Sequence, residues 1–292
     1  MGWRVVSVSS RSKLELKMNY LVIRREEEIK RVYLDEISVL IIENTGCSLT
    51  SSLLEALINK KIDVVFCDSK RNPLSQLIPF SSRFEANAQL FSQVNWTEES
   101  KSNAWAEIIR QKIKRQADNL RRFDEKIADK LLSYVPEIEP GDPTNREGHA
   151  AKVYFNAIFY PGFSRDDNST LNAALNYGYA VILSYVNRQI VSCGYFTQFG
   201  LFHKNTFNQF NLGCDLMEPF RPLVDYKVSF LDLGFELTPE NKIEILNVLN
   251  EEVYIDGQMT TAMNAIQAYV KSVFTAIEEN DVELIKEYTY GF

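Results

Sequence analysis

A chain of 292 residues with 45% hydrophobic and 24% charged residues has an ordinary globular composition, long enough for one large domain or two smaller ones. No apolar run approaches the roughly 18 residues that span a bilayer and the start carries no signal-peptide pattern, so a soluble cytoplasmic chain is expected. The net charge of −7 argues mildly against a nucleic-acid partner.

The first 80 residues read as β-rich. Apolar and polar residues alternate from Leu14 to Ile23 around an Asn-containing turn, which predicts a hairpin. Residues 28–43 continue the strand character up to the Asn44-Thr45-Gly46 turn. Ser52 and Glu55 have capping-box spacing and open a short helix with Leu53, Leu54, Leu57 and Ile58. Short strands follow at residues 63–66 and 74–78.

From about Arg83 the period becomes helical. Ile109, Ile113, Ala117, Leu120, Phe123, Ile127 and Leu131 recur at steps of three and four, and no Gly or Pro interrupts residues 83–134, which predicts one or two long helices. The Pro-rich stretch at 136–143 breaks the run, and helical patterns dominate from there to Lys286. The fold expected is α+β: a small N-terminal β-sandwich-like domain over residues 1–80 and a larger all-helical catalytic domain over 81–292. Cys47, Cys67, Cys193 and Cys214 form no CxxC and no zinc spacing, as expected of thiols in a reducing compartment.

The charge is unevenly spread. Residues 236–287 carry 11 acids and 3 lysines, leaving 28 acids and 29 bases for the rest. Residues 108–122 alone hold 6 bases and 1 acid, and on a helix Arg110, Lys114 and Arg121 fall within about 40° of one another. Such a stripe either faces solvent or follows a phosphate backbone, with affinity and little sequence information.

Three stretches carry candidate chemistry: residues 146–151 around Glu147, 199–204 around His203, and 215–222 with Asp215 and Glu218. Two acids and one His suit a hard divalent cation with positions left open for substrate. Each also has a plain structural reading. A first-turn acid such as Glu147 stabilises a helix dipole. His203, flanked by Phe199, Leu201 and Phe202, fits a semi-buried packing role. His149 lies about 200° around a helix from Glu147 and is a weaker co-ligand. Asp215, Glu218 and Asp225 would share one helical stripe, with Arg221 available as an internal ion-pair partner.

These stretches resemble the CRISPR-associated spacer-acquisition integrases and endonucleases, the first-numbered Cas proteins. The resemblance runs over nearly the whole chain: residues 1–6, Gly46-Cys47-Ser48-Leu49-Thr50-Ser51, Val64-Val65-Phe66-Cys67-Asp68, Leu175-Asn176-Tyr177-Gly178-Tyr179 and Gly257-Gln258-Met259. The opening and Glu218-Pro219-Phe220-Arg221-Pro222 look most similar to members of the Cas9-linked type II-A systems. The resemblance implies that Glu147, His203 and Glu218 bind Mg²⁺ or Mn²⁺, with Asp215 in support. It implies joining of the 3′-hydroxyl ends of new spacer DNA into the CRISPR repeat. It further implies a homodimer, two of which are bridged by a dimer of the second-numbered Cas protein, and participation of Cas9 and an accessory adaptation protein. A metal-dependent repair nuclease for branched DNA and a non-enzymatic assembly subunit are the alternatives.

Overall fold

Alternation at Leu14, Leu16, Leu21 and Ile23 makes the expected hairpin, turned by Met18 and Asn19 in the left-handed region. The structure is a computed structural model that describes residues 2–25, 28–69, 71, 73–79 and 86–291. The chain divides into two units, Met1–Phe80 and Ser81–Phe292.

The first unit contains β1 (Arg4–Val8), β2 (Lys13–Lys17), β3 (Tyr20–Arg24), β4 (Ile29–Tyr33), β5 (Ile37–Ile42), β6 (Ser48–Leu49), α1 (Ser51–Asn59), β7 (Asp63–Cys67) and β8 (Pro73–Gln76). They form two four-stranded sheets, ordered β1-β5-β7-β8 and β4-β3-β2-β6. Leu14, Leu21, Ile23, Leu40, Ile42 and Val64 pack with Leu53 and Leu57 of α1 into one core. The cap of α1 is Thr50, whose side chain accepts from Leu53 N, and not Ser52 as its spacing to Glu55 suggests. Helix α1 starts one residue before Ser52, so Thr50 already occupies the capping position. Leu14 is fully buried and Leu16 packs on the same core, so the apolar face of the hairpin is consumed within the unit. Met18, Tyr20, Ile29 and Tyr33 stay exposed, and β4 is a sheet edge.

The second unit contains α2 (Ala86–Val94), α3 (Glu98–Leu120), α4 (Glu125–Tyr134), α5 (Arg146–Ile158), α6 (Thr170–Ser192), α7 (Asn211–Leu216), α8 (Arg221–Ser229), α9 (Pro239–Leu246), β9 (Glu252–Ile255), β10 (Gln258–Thr261), α10 (Ala262–Glu279) and β11 (Tyr288–Tyr290). The helical run from residue 86 is three helices, because Thr97 and Asp124 act as N-caps where no Gly or Pro marks a break. Its expected start at Arg83 lies outside the described residues. The unit is not purely helical: β10-β9-β11 make a small antiparallel sheet that buries Val253, Ile255 and Tyr288. Among the described residues no helix is long and apolar enough to cross a membrane, and all four cysteines are free thiols.

Helix α3 is the axis of this unit. Ile109, Ile113, Ala117 and Leu120 are buried, but so are Gln111, Lys112, Arg115, Gln116 and Asn119. A helix buried on nearly every side must find a partner for each polar group it carries inward. Helix α6 packs closely on α8 at Gly178, where a Cβ would stand 2.4 Å from a Val224 methyl carbon.

Candidate functional site

One face of α3 organises the site. Trp105, Lys112 and Asn119 are spaced by seven residues and return to the same side of the helix. Asn119 Nδ2 donates to the Tyr154 hydroxyl and to Pro222 O, both at 2.8 Å. Trp105 stacks flat on Phe202 at 4.5 Å and meets the His203 ring edge-on at 5.9 Å. Between them, Lys112 Nζ lies 2.5 Å from Glu147 Oε1 and 2.6 Å from Glu218 Oε2.

Glu147 stands in the first turn of α5. Asp142 accepts from Arg146 N and Glu147 N at 2.8 and 2.9 Å, and Asn145 accepts from Gly148 N at 3.2 Å. These caps fix the helix start and hence the glutamate.

Glu218 sits in a 3-10 turn, Glu218–Phe220, between α7 and α8. The single helical stripe expected for Asp215, Glu218 and Asp225 is therefore broken, because Pro219 and Pro222 start new turns. The three acids take separate partners. Glu218 is only 3% exposed and meets Lys112 on one oxygen and Arg221 Nε, 3.1 Å away, on the other. The expected Arg221 ion pair is thus present. Lys112 approaches Glu218 Oε2 off the hydrogen-bond direction, leaving that buried oxygen in ion-pair contact without a directed bond. Burial pushes the Glu218 carboxyl upward, but the Arg221 and Lys112 cations outweigh it and hold the pKa below the ordinary value. Burial likewise opposes charge on Lys112, and the two glutamates reverse that and keep its pKa raised.

Asp215 is fully buried and accepts from Leu201 N, Phe202 N, His203 N and His203 Nδ1 at 2.6, 3.1, 3.2 and 2.5 Å. Four donors around one carboxyl demand its ionised form, although burial pushes its pKa up. They also favour the tautomer with the proton on Nδ1, and among the described residues Nε2 makes no hydrogen bond. The hydrogen bond to Asp215 raises the His203 pKa, and the charges of Glu218 and Glu147 add to it. Gly200 permits this wrap: a Cβ there would lie 2.4 Å from His203 O and 2.8 Å from Asp215 Oδ2.

Asp225 is buried beneath the site and bonds the Tyr179 and Tyr154 hydroxyls. Burial raises its pKa to about 7. An acid whose folded pKa exceeds its unfolded value of about 3.9 keeps a proton that the unfolded chain releases. Stability should therefore decline as pH rises from about 4 to about 7 and stay lower above. Asp225→Asn, which cannot ionise, should lose less melting temperature than the wild-type chain between pH 5 and pH 8. Parallel curves for the two would show that Asp225 is ionised in the folded chain throughout.

The structure thus brings Glu147 and Glu218 to one ammonium and sets His203 within their field. Among the described residues no three His, Cys, Asp or Glu side chains are gathered tightly enough to hold one metal ion as they stand. Lys112 is the physical reason, since its ammonium stands between the two acids. The donor set still suits a hard divalent cation: two carboxylates on a shared cation, one oxygen lacking a directed bond, and an imidazole with a free nitrogen. Lys112, Trp105 and the Asp215 loop contacts are the features that sequence reasoning missed.

The basic stripe is mostly engaged. Arg110 Nη2 holds Ile138 O at 2.5 Å and pairs with Glu107, and Lys114 pairs with Glu287 at 2.9 Å. Arg121 has a 3.9 Å contact to Asp118 and a half-exposed side chain. The acidic tail supplies part of this pairing through Glu287, which also meets Arg115 at 3.1 Å.

The family model described as CRISPR associated protein Cas1 matches residues 5–232. The chain is 35% identical over 291 residues to the CRISPR-associated endonuclease Cas1 of Neisseria meningitidis serogroup C (strain 8013), covering 98% of this chain and 96% of that protein. Among solved structures it resembles a casposase bound to integration product, with TM-score 0.76 and 19% identity over 97% of this chain and 93% of that one. It also resembles a chain of a Cas6-RT-Cas1–Cas2 complex, with TM-score 0.74 and 15% identity over 98% of this chain and 36% of that one. At these identities the structural likeness is one of fold.

Proposed function

Because the chain belongs to the family of CRISPR associated protein Cas1, we propose that it is a metal-dependent DNA integrase and endonuclease of CRISPR adaptation, with Glu147, His203 and Glu218 holding Mg²⁺ or Mn²⁺. The observation that carries this reading is the convergence of Glu147 and Glu218 on one buried cation beside an imidazole whose Nε2 makes no hydrogen bond among the described residues. The Neisseria relative is named an endonuclease, and the casposase was solved with its integration product, which supports both activities.

In this reaction a DNA 3′-hydroxyl attacks a phosphodiester of the repeat. The new P–O bond joins the fragment to the repeat strand, and the broken P–O bond leaves a 3′-hydroxyl on the flanking DNA. A bound divalent ion lowers the pKa of the attacking hydroxyl and offsets charge on the phosphoryl oxygens. The protein's own part is positional. Asp215 and Trp105 fix the His203 ring, Asp142 and Asn145 fix Glu147, and Arg221 fixes Glu218. Water in place of the hydroxyl gives hydrolysis at the same site. The test is a joining assay: labelled DNA with 3′-hydroxyl ends, a repeat-bearing plasmid and Mn²⁺. Covalent joining supports the proposal, and cleavage of branched DNA without joining would turn the reading to a repair nuclease.

We further propose duplex DNA and a dimer of the second-numbered Cas protein as partners, in line with the Cas1–Cas2 complex among the similar folds. Cas9 and an accessory adaptation protein belong to the same proposal. Self-association as a homodimer rests on the first unit, where the edge strand β4 and the exposed Met18, Tyr20, Ile29 and Tyr33 are open to a second copy. Sedimentation should give about twice the 33.6 kDa chain mass, and lose it on removal of residues 1–80. Dimers that persist after that truncation would place the interface in the second unit.

Arg110 and Lys114 of α3, with Arg121 at its C-terminal cap, remain the proposed phosphate contacts. Arg121→Ala should lower the salt slope of DNA binding by about one unit with no change in melting temperature. Arg110→Ala with Lys114→Ala should weaken binding equally for all sequences and also lower the melting temperature, since both side chains tie α3 to other segments. An unchanged slope in Arg121→Ala would return that residue to plain solvent exposure.

A further inference from the structure

The site carries its own cations. Lys112 spans Glu147 Oε1 and Glu218 Oε2 at 2.5 and 2.6 Å, and Arg221 Nε meets Glu218 Oε1 at 3.1 Å. Two glutamates are therefore matched by two internal positive charges before any ion arrives. The Lys112 side chain is 7% exposed and Glu218 is 3% exposed, so solvent does little to screen these contacts. A divalent ion taking an oxygen from each glutamate needs the space in which the ammonium stands. The ion and the ammonium are both cations and cannot share it.

The two internal cations differ in freedom. Arg221 is a planar fork whose guanidinium also lies over the Tyr179 ring at 4.8 Å, which anchors it from a second side. Lys112 is a point charge on a four-carbon stem with three rotatable donors. Its charged contacts are the two glutamates, and it stands on the α3 face that also carries Trp105 against the His203 loop. It is the cation that can swing without dismantling the site.

Resting on the metal-binding reading above, we propose that Lys112 is an exchangeable cation: it holds Glu147 and Glu218 together in the DNA-free chain, and the DNA phosphate that enters the site draws its ammonium away and so opens both carboxylates to the divalent ion. Charge balance gives the reason. With Lys112 and Arg221 in place, the two glutamates are already neutralised, and a divalent ion alone would leave a surplus of two positive charges. A phosphodiester brings one negative charge, and more accumulates on its oxygens as the bond transfer proceeds. Ion and phosphate therefore bind as a coupled pair, and by linkage each tightens the other by the same factor. In the exchanged position the ammonium faces the phosphoryl oxygens and adds a second positive charge where negative charge grows.

The experiment is Mn²⁺ titration followed by electron paramagnetic resonance, which reads the bound ion and needs no turnover. It uses the full-length wild-type chain, Lys112→Met and Glu218→Gln. Each is titrated with Mn²⁺ alone and with a branched DNA that lacks the attacking 3′-hydroxyl. The wild-type chain should bind Mn²⁺ at least tenfold more tightly with DNA than without. Lys112→Met leaves the carboxylates uncompensated, so it should bind Mn²⁺ at least tenfold more tightly than wild type in the absence of DNA. Its further gain on adding DNA should fall below threefold. Glu218→Gln should lose the site under both conditions.

Equal DNA-free affinity in wild type and Lys112→Met, with Glu218→Gln still losing the ion, overturns the exchange and leaves the metal site standing. Wild-type-like Mn²⁺ binding by Glu218→Gln overturns both. Should Lys112→Met fail to fold, the wild-type arm decides alone: no tightening of Mn²⁺ by DNA refutes the coupling. A DNA in which a methylphosphonate replaces the target phosphodiester supplies the matching control, and full tightening by that uncharged group refutes it equally.

Discussion

Replacing Glu218 by Gln should lower strand transfer by on the order of a hundredfold or more, the usual cost of removing one electrostatic stabiliser from a transition state. Glu147→Gln and His203→Ala should lower it comparably, because the proposed cation, held by three side chains, would be displaced or lost with any one of them. The three variants should differ in stability. Glu218 is buried between Lys112 and Arg221, and an amide there leaves the buried Lys112 ammonium facing Glu147 alone, while Arg221, about one-third exposed, turns partly to solvent. Breaking a buried pair in this way costs about 3–5 kcal/mol. Glu147 is about a quarter exposed and His203 about two-fifths, so solvent absorbs much of the change at those positions. The joining assay at matched Mn²⁺ should therefore be run beside thermal melts, below the melting temperature of Glu218→Gln. Near-full joining by any one variant would remove that residue from the ligand set. Equal melting temperatures for Glu218→Gln and wild type would show that Lys112 and Arg221 find other anions.

What could be read in the sequence was set by the range of the interaction. The β2–β3 hairpin is local, since its alternation and its Met18-Asn19 turn lie between Lys13 and Arg24, and it forms as expected. The strand expected over 63–66 was legible for the same reason, being a short apolar run between turns, and is found at Asp63–Cys67; the one expected over 74–78 is found at Pro73–Gln76. The break between α3 and α4 was not, because Asp124 caps through its own side chain and no Gly or Pro marks it. The small sheet of β9, β10 and β11 escaped notice because β11 is separated from its partner β9 by the whole of α10.

The site divides along the same line. The residue types of Glu147, His203 and Glu218 stand out in sequence, whereas Lys112 is one of six bases in a run that reads as a phosphate-binding stripe. The acids that claim these bases come from far along the chain: Glu147 and Glu218 for Lys112, Glu287 for Lys114 and Arg115. One signal was available. Gln111, Lys112, Arg115, Gln116 and Asn119 are interleaved with the apolar positions of α3 and leave it no wide polar face. A helix patterned like that is central to its domain, and its charged groups are already committed inside.

Asp215→Asn should be as damaging as His203→Ala, a stronger effect than a supporting acid at the edge of the site would have. The carboxylate accepts three backbone N–H groups and the His203 ring with no exposed atom. Asparagine keeps one acceptor oxygen and replaces the other with an NH₂ donor. If that NH₂ faces Leu201 N and Phe202 N, donors oppose donors and the loop opens. If it faces the imidazole, it donates to Nδ1 and drives the ring proton to Nε2, the nitrogen proposed as a metal ligand. Either orientation loses the geometry, with about 1–3 kcal/mol of stability lost for unsatisfied buried groups. Nitrogen NMR of the metal-free chain separates these effects. The wild-type His203 should carry its proton on Nδ1 and titrate above its ordinary value of 6.5, because the hydrogen bond to Asp215 favours the charged ring. In Asp215→Asn the pKa should fall toward that ordinary value, so the ring becomes neutral at lower pH while holding the wrong tautomer. Joining activity should then stay low across the pH range, because raising the pH does not restore the tautomer. Activity within tenfold of wild type, with the Nδ1 proton retained, would show that the loop N–H groups and the Trp105 edge contact suffice to hold the ring without the carboxylate.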